Sequence, residues 1–245
     1  MDRMIYLSMT GAKSLMERQD ALTHNLANAA TDGFRADLMT ARAVPVRQDG
    51  TATTRVYNVE TTTGFNAAQG PVRRTGNPLD LAVRGSGWLA VQGLDGAEGY
   101  TRDGGLTLDD QGMLMTRRGQ LVLGDGGPIA IPANAEVSIG SDGTVSAKVG
   151  GQPATPVGRL KLVDPPVAEL TKGGDGLVRL KSGEPAQADE SVRVADGALE
   201  GSNVSVVEAM VGMIEVARQF EMQMKLLQTT ETNEQRAAQL LSLKG

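Results

Sequence analysis

Cysteine is absent from this 245-residue chain, which removes disulfides and thiolate metal sites together. Histidine is almost absent. His24 stands alone, so a histidine-based metal site within one chain is excluded, and a Ser-His-Asp triad would have to use a residue committed to a helix. Aromatics make up 3% of the sequence: Tyr6, Phe34, Tyr57, Phe65, Trp88, Tyr100 and Phe220. Any core must therefore be assembled from Leu, Val, Ile, Met and Ala. No stretch approaches the roughly 20 apolar residues that span a bilayer. The opening Met1-Asp2-Arg3-Met4-Ile5-Tyr6 lacks the charged, apolar and small-residue zones of a signal peptide. Blocks of like charge are missing too. The net charge of −5 is spread along the chain with no basic face, which argues against nucleic-acid binding.

What is present is helical at the two ends and β between them. Met1, Ile5, Ser8, Ala12, Leu15, Gln19, Leu22, Leu26 and Ala29 recur at spacings of four and three. Val206, Met210, Met213, Ala217, Phe220, Met224 and Leu227 do the same. Such spacing puts side chains on one narrow stripe, the seam by which helix packs on helix. Each helix is read as having a single apolar face, so its partner is the other helix or a copy from a neighbouring subunit. The first helix is expected over residues 2–29. The second is expected from Val204 to about Leu243, capped by Ser202 or Asn203, with a seam that thins through Glu231, Glu234, Ala238 and Leu241.

Between the helices, residues 35–48 and the threonine-rich run from Asp49 to Gly64 read as extended connections. From Leu79 onward the β pattern is regular. Short strands are expected at 79–83, 88–91, 100–102, 106–108, 113–115, 120–123, 129–131, 137–139, 145–147, 160–163 and 177–180. They are separated by turns such as Asp103-Gly104-Gly105, Asp109-Asp110-Gln111-Gly112 and Ser141-Asp142-Gly143-Thr144. The fold class expected is α+β: a discontinuous, coiled-coil-like helical domain (1–34 and 200–245), a connecting segment (35–78) and an all-β domain (79–199).

Chemistry finds little purchase. Gly85-Ser86-Gly87-Trp88 lacks the third glycine and the following helix of a dinucleotide site, and no phosphate loop exists. Asp109, Asp110, Asp103 and Glu98 lie among the turns and could in principle serve a carboxylate-dependent hydrolase. Asp beside Gly is explained as well by turn hydrogen bonding. Arg73-Arg74 and Arg117-Arg118 read as solvated pairs.

Three segments carry a resemblance. Leu22-Thr23-His24-Asn25-Leu26-Ala27-Asn28 through Thr31-Asp32-Gly33-Phe34-Arg35 is similar to the signature of flagellar basal-body rod and hook proteins, with His24 in place of its first Asn. Thr75-Gly76-Asn77-Pro78-Leu79-Asp80-Leu81-Ala82-Val83, then Gly85-Ser86-Gly87 and Tyr100-Thr101-Arg102-Asp103-Gly104, resembles the start of that family's β domain. Leu199-Glu200-Gly201-Ser202-Asn203-Val204, leading to Arg218-Gln219-Phe220-Glu221, resembles its C-terminal motif. The opening residues and the short length look most like a proximal-rod member, with a distal-rod or hook-type subunit the nearest alternative.

The resemblance implies a structural subunit, not an enzyme, needing no cofactor or metal. Its terminal helices would line the inner tube of a helical rod and its β domain would form an outer layer. Implied partners are copies of itself, other rod proteins and the flagellar type III export apparatus, with neither nucleic acid nor membrane insertion. Export would be unfolded and without a cleaved signal, to the periplasmic rod. The terminal helices would order fully only on assembly. Expected interface residues are Leu15, Leu22, Asn25, Leu26, Asn28, Met210, Met213, Ala217, Phe220, Met224 and Leu227. Asn25 and Asn28 are expected to satisfy backbone groups where the first helix meets its link.

Overall fold

The computed structural model describes residues 2–45 and 56–242. The Asp49–Thr54 run, Met1 and Leu243 lie outside the described residues, as do the side chains of Ile5, Glu234, Ala238 and Leu241. The fold is α+β, and the chain divides into two compact units.

One unit comprises Met1–Ala27, Asp37–Gly64 and Ser205–Gly245. It holds helix α1, Asp2–Ala27, and helix α2, Val206–Ser242, together with a pair of strands, Asp37–Pro45 and Val56–Phe65, whose last residue counts with the other unit. The Ser205 hydroxyl accepts the Glu208 amide at 3.3 Å and so caps α2. This corrects the expected caps. Ser202 accepts the Val204 amide in a local turn, and Asn203 donates to the Asn66 and Ala68 carbonyls, which like itself belong to the other unit. At 37 residues α2 would be about 55 Å long, and it contains no proline to break it.

The second unit comprises Asn28–Ala36 and Phe65–Val204. Its nine-stranded sheet runs in the order 170–172, 178–180, 98–101, 88–92, 121–124, 114–116, 106–108, with 127–128 added on 121–124 and 162–163 on 88–92. A three-stranded sheet (135–139, 144–149, 155–159) and two ladders, 193–196 on 81–84 and 198–200 on 72–74, complete it. The strand Trp88–Gln92 is buried on both faces. Leu89 and Val91 enter one apolar cluster with Leu81, Leu114 and Val122, while Trp88 and Ala90 enter another with Phe65, Tyr100 and Val178.

Among the described residues, five hairpin turns share one backbone design. In 93–97, 109–113, 116–120, 140–144 and 173–177, the first residue's amide donates to the fifth residue's carbonyl, and the fourth residue's amide donates back to the first. The fourth residue is glycine each time, with φ near +80° (80° to 84°), as a left-handed position demands. These turns make antiparallel neighbours of 88–92 and 98–101, 106–108 and 114–116, 114–116 and 121–124, 135–139 and 144–149, and 170–172 and 178–180.

Some expectations are corrected. Residues 129–131 form no strand, only a bridge from Met113 to Ala130, because Pro128 and Pro132 flank the segment. The strands 155–159, 170–172, 193–196 and 198–200 extend the β unit further than the pattern indicated. Glu98 stands on a strand rather than in a turn.

Candidate assembly interface

Within the helical unit, α1 and α2 approach closely where small residues allow it. A Cβ on Gly212 would lie 3.2 Å from Leu22 Cδ1, and one on Gly11 would lie 3.1 Å from Gln223 Nε2. Gln223 Nε2 donates to the Ser8 carbonyl at 3.2 Å. On α2 the buried positions are Ala209 and Val216 (2% exposed), flanked by half-buried Met213, Phe220, Gln223 and Leu227. This stripe keeps the 4-3 spacing but is turned about the helix from the expected one. It shares Met213, Phe220 and Leu227 with that expectation. Met210, Ala217 and Met224 are exposed in the single chain, whereas Leu15, Leu22 and Leu26 on α1 are half-buried.

A second apolar face is the reason for the shift, and it corrects the reading of one stripe per helix. On α2 it carries Val207 (72% exposed), Met210, Val211, Ile214 (56%) and Met222, and on α1 Met9 and Met16. An apolar face of this extent left in water forgoes roughly 25 cal/mol for each Å2 that a partner could cover.

Asn25 is buried and binds Asp37 twice, donating Nδ2 to its carbonyl at 3.0 Å and accepting its amide at 2.8 Å. His24 Nδ1 lies 2.6 Å from Asp37 Oδ2 on the exposed side of α1. Asn28 is half-buried and accepts the Thr31 hydroxyl at 3.3 Å.

The β unit fastens the two chain segments that adjoin the helices in sequence. Gly33, at φ +70°, donates its amide to the Glu200 carbonyl at 2.7 Å, and any Cβ there would strike the Asp103 amide. Asn203 accepts the Ala36 amide and donates to the Asn66 and Ala68 carbonyls, each at 2.8 Å. Below them lies a buried ion triad. Glu200 Oε1 accepts Arg35 Nη2 at 2.6 Å and the Gly70 amide at 2.8 Å, while Oε2 accepts Arg102 Nη1 at 2.9 Å. Arg102 also donates to the Val83 and Gly85 carbonyls.

Arg35 Nε and Nη1 and Arg102 Nε are buried and have no hydrogen-bond partner among the described residues. Both guanidinium groups instead face the Trp88 ring, with Cζ 5.7 Å and 5.5 Å from its centroid. Burial pulls the Arg102 pKa below its ordinary value, and the Glu200 carboxylate opposes that shift. Sequence reasoning did not assign Arg35, Arg102, Glu200 or Trp88 a role, and it read Asn203 only as a cap candidate for α2. A signal was available: each of the three recognised segments contributes one charged member of the triad.

The hydrolase reading finds no support in the carboxylates. Asp109 Oδ1 accepts the Gln111 and Met113 amides, and Glu98 is bound by Lys161 Nζ at 2.8 and 2.9 Å. Asp103 Oδ1 accepts the Gly105 amide, and burial raises its pKa against that bond and Arg118. Among the described residues no cluster of His, Cys, Asp or Glu could hold a metal ion, and no helix is long and apolar enough to cross a membrane.

Comparison with known proteins bears on the same segments. Residues 195–240 match the family described as flagellar basal body rod FlgEFG protein C-terminal, and residues 82–147 match the flagellar hook protein FlgE/F/G D1 domain. The chain is 46% identical to the flagellar basal-body rod protein FlgF of Escherichia coli (strain K12), over 99% of the chain and 100% of that protein. It is 37% identical to FlgF of Caulobacter vibrioides, over 94% of each. A flagellar basal-body rod protein FlgG, from Buchnera aphidicola subsp. Schizaphis graminum, is 31% identical over 96% of the chain and 98% of that protein.

Proposed function

The chain belongs to the family of flagellar basal-body rod proteins, and from that premise we propose how its two units serve a rod subunit. It is a structural component of the flagellar rod. The α1–α2 pair is the inner-tube element and packs in a coiled-coil-like manner, with the seam at Ala209, Met213, Val216 and Phe220 joining the two helices of one subunit. The outward face at Met210, Ala217 and Met224, extended by Val207 and Ile214, meets helices of neighbouring subunits. Functional limits of 1–34 and 200–245 for the helical part, 35–78 for the connection and 79–199 for the outer layer express this division of labour, although the compact β unit also takes in 28–36, 65–78 and 200–204.

The observation that carries the reading is the exposed apolar face of α2, where Val207 is 72% and Ile214 56% exposed among the described residues. A solitary subunit would leave it in water, and assembly with other copies and other rod proteins would bury it. The 46% identity to the Escherichia coli FlgF and 37% to the Caulobacter FlgF, against 31% to the FlgG relative, favour placement with the former, in the proximal rod. Passage through the flagellar type III export apparatus, unfolded and without a cleaved signal, suits a chain that has no disulfide to form.

Leu22→Asp and Phe220→Asp test the inner-tube assignment. Each is expected to abolish incorporation into basal bodies while the β unit keeps its fold, read by near-ultraviolet circular dichroism of Trp88. Normal rods containing either variant would refute it.

A further inference from the structure

The five hairpin turns of common geometry differ at their second residue, which projects from the tip. Four place Asp110, Arg117, Ser141 or Gly174 there, as an exposed tip favours. The fifth places Leu94, which is 89% exposed. Turn chemistry does not call for a leucine at this position.

The tip is also braced. Gln92 Nε2 donates to the Gly96 carbonyl at 3.1 Å, and Asp95 Oδ1 accepts the Ala97 amide at 3.1 Å. Arg179 joins Asp95, at 3.0 Å, to Asp175 of the adjacent 173–177 turn, at 2.7 Å. An apolar side chain on an ordered turn loses little conformational freedom when it meets a partner. Leu94 is thus a preorganised knob flanked by two partly exposed carboxylates and one shared guanidinium.

A fitting socket lies on the same unit. The strand Trp88–Gln92 leads to the Leu94 turn at one end. At its other end the Gly85–Gly87 turn connects it to Leu81–Arg84, along which runs an open cleft of about 790 Å3. Its apolar lining includes Val72 (51% exposed), Pro78 and Ala198. Arg74 and Arg84 supply positive charge, against Asp196 alone, and neither arginine forms an ion pair among the described residues.

We propose that the Leu94 turn of one copy seats in the Val72–Ala198 cleft of a second copy, with Asp95 and Asp175 facing Arg74 and Arg84. The occupant is argued from charge: Asp95 and Asp175 against the one Arg179 leave the rim of the apolar knob net negative, and Arg74 and Arg84 against the one Asp196 leave the rim of the cleft net positive. Knob and cleft are different patches, so the contact is heterologous. It repeats in one direction and generates an open helical series rather than a closed dimer. The inference rests on the rod-subunit reading and adds to it a contact made by the β unit.

The chain's lack of cysteine makes the test clean. Full-length chain carrying Leu94→Cys and Val72→Cys together, expressed in place of the wild type, is oxidised in purified basal bodies and run without reductant. The expected result is a ladder of dimers and higher species specific to the double variant, with neither single variant producing more than dimer. Leu94→Asp is expected to reduce retention of the subunit in basal bodies. A double variant present in basal bodies but not cross-linked beyond the single variants, with Leu94→Asp retained like wild type, would overturn the contact and leave the rod reading intact. A wild-type chain absent from basal bodies would overturn both.

Discussion

Glu200 binds Arg35 at 2.6 Å across 165 residues of sequence, with neither side chain more than 2% exposed. The pair draws the segment that follows α1 in sequence and the segment that precedes α2 into the same β unit, where Arg102 and Trp88 complete the cluster. A buried ion pair adds little net stability over an apolar replacement, but removing one partner leaves the others charged and unsolvated. Glu200→Gln is therefore expected to lower β-unit stability by about 3–5 kcal/mol, or roughly 10 °C in Tm for a unit of this size. Asp32→Asn breaks the exposed pair with Arg73 and should cost no more than about 1 kcal/mol. Thermal unfolding of both variants checks the contrast, and equal effects would contradict the role given to the triad.

Tyr100 makes a pH prediction. Its hydroxyl accepts the Ala186 amide at 2.6 Å and donates to Glu98 Oε1 at 3.1 Å. Burial pushes its pKa up to about 12, the neighbouring Glu98 charge adding to the rise. A group whose pKa is higher in the folded state stabilises fully below its unfolded pKa and loses that contribution as pH rises. For Tyr100 the loss falls between about pH 10 and pH 12. Tyr100→Phe should remove this component of the alkaline transition. It should also cost about 1–3 kcal/mol at neutral pH by leaving the Ala186 amide without its acceptor. Denaturant unfolding at pH 8, 10 and 11.5 reads both effects, and an unchanged alkaline slope would refute the assignment.

Gly33 offers a backbone test. Its φ of +70° penalises any side chain by about 1–2 kcal/mol, and the close Asp103 amide adds a steric clash. Gly33→Ala is expected to destabilise the β unit by more than that conformational penalty alone. Gly126→Ala, where a Cβ meets nothing within 4 Å, serves as the comparison. Matching stabilities would mean that Gly33 is not held as described.

The two faces of α2 predict different failures. Val216→Asp places a charge in the buried seam and should impair the helical unit of the isolated subunit. Ile214→Asp, on the exposed face, should leave the circular dichroism of the monomer unchanged and yet prevent incorporation into rods. If Ile214→Asp were incorporated normally, the outward face would not be an interface.

The turns were the most legible part of the molecule. Gly112 and Gly143, each at the fourth position of its turn, marked 109–113 and 140–144 without tertiary information, whereas the turns at 93–97 and 173–177, built alike, went unread. The helix ends were legible as helices, but the register of α2 was not. Val207, Val211 and Ile214 stand opposite Ala209, Met213 and Val216, so apolar residues lie on two sides of α2 and 4-3 spacing alone cannot say which side meets α1. The cap on α2 was misplaced because Ser202, Asn203 and Ser205 are all competent, and only the competing duties of Asn203 decide among them. Strands 193–196 and 198–200 were missed because their pairing partners lie more than 100 residues earlier. The triad was overlooked for the same reason, its members lying up to 165 residues apart, although Arg35, Arg102 and Glu200 each fall within one of the three recognised segments.

The central claim is that this chain is a rod subunit that needs its C-terminal helix. The most direct measurement is electron microscopy of basal bodies from a strain lacking the chain, complemented either with the full sequence or with one lacking residues 204–245. The account predicts complete rods, hooks and filaments with the full sequence, and rods that stop short with the truncated one. Complete rods in the uncomplemented strain, or with the truncated chain, would contradict it.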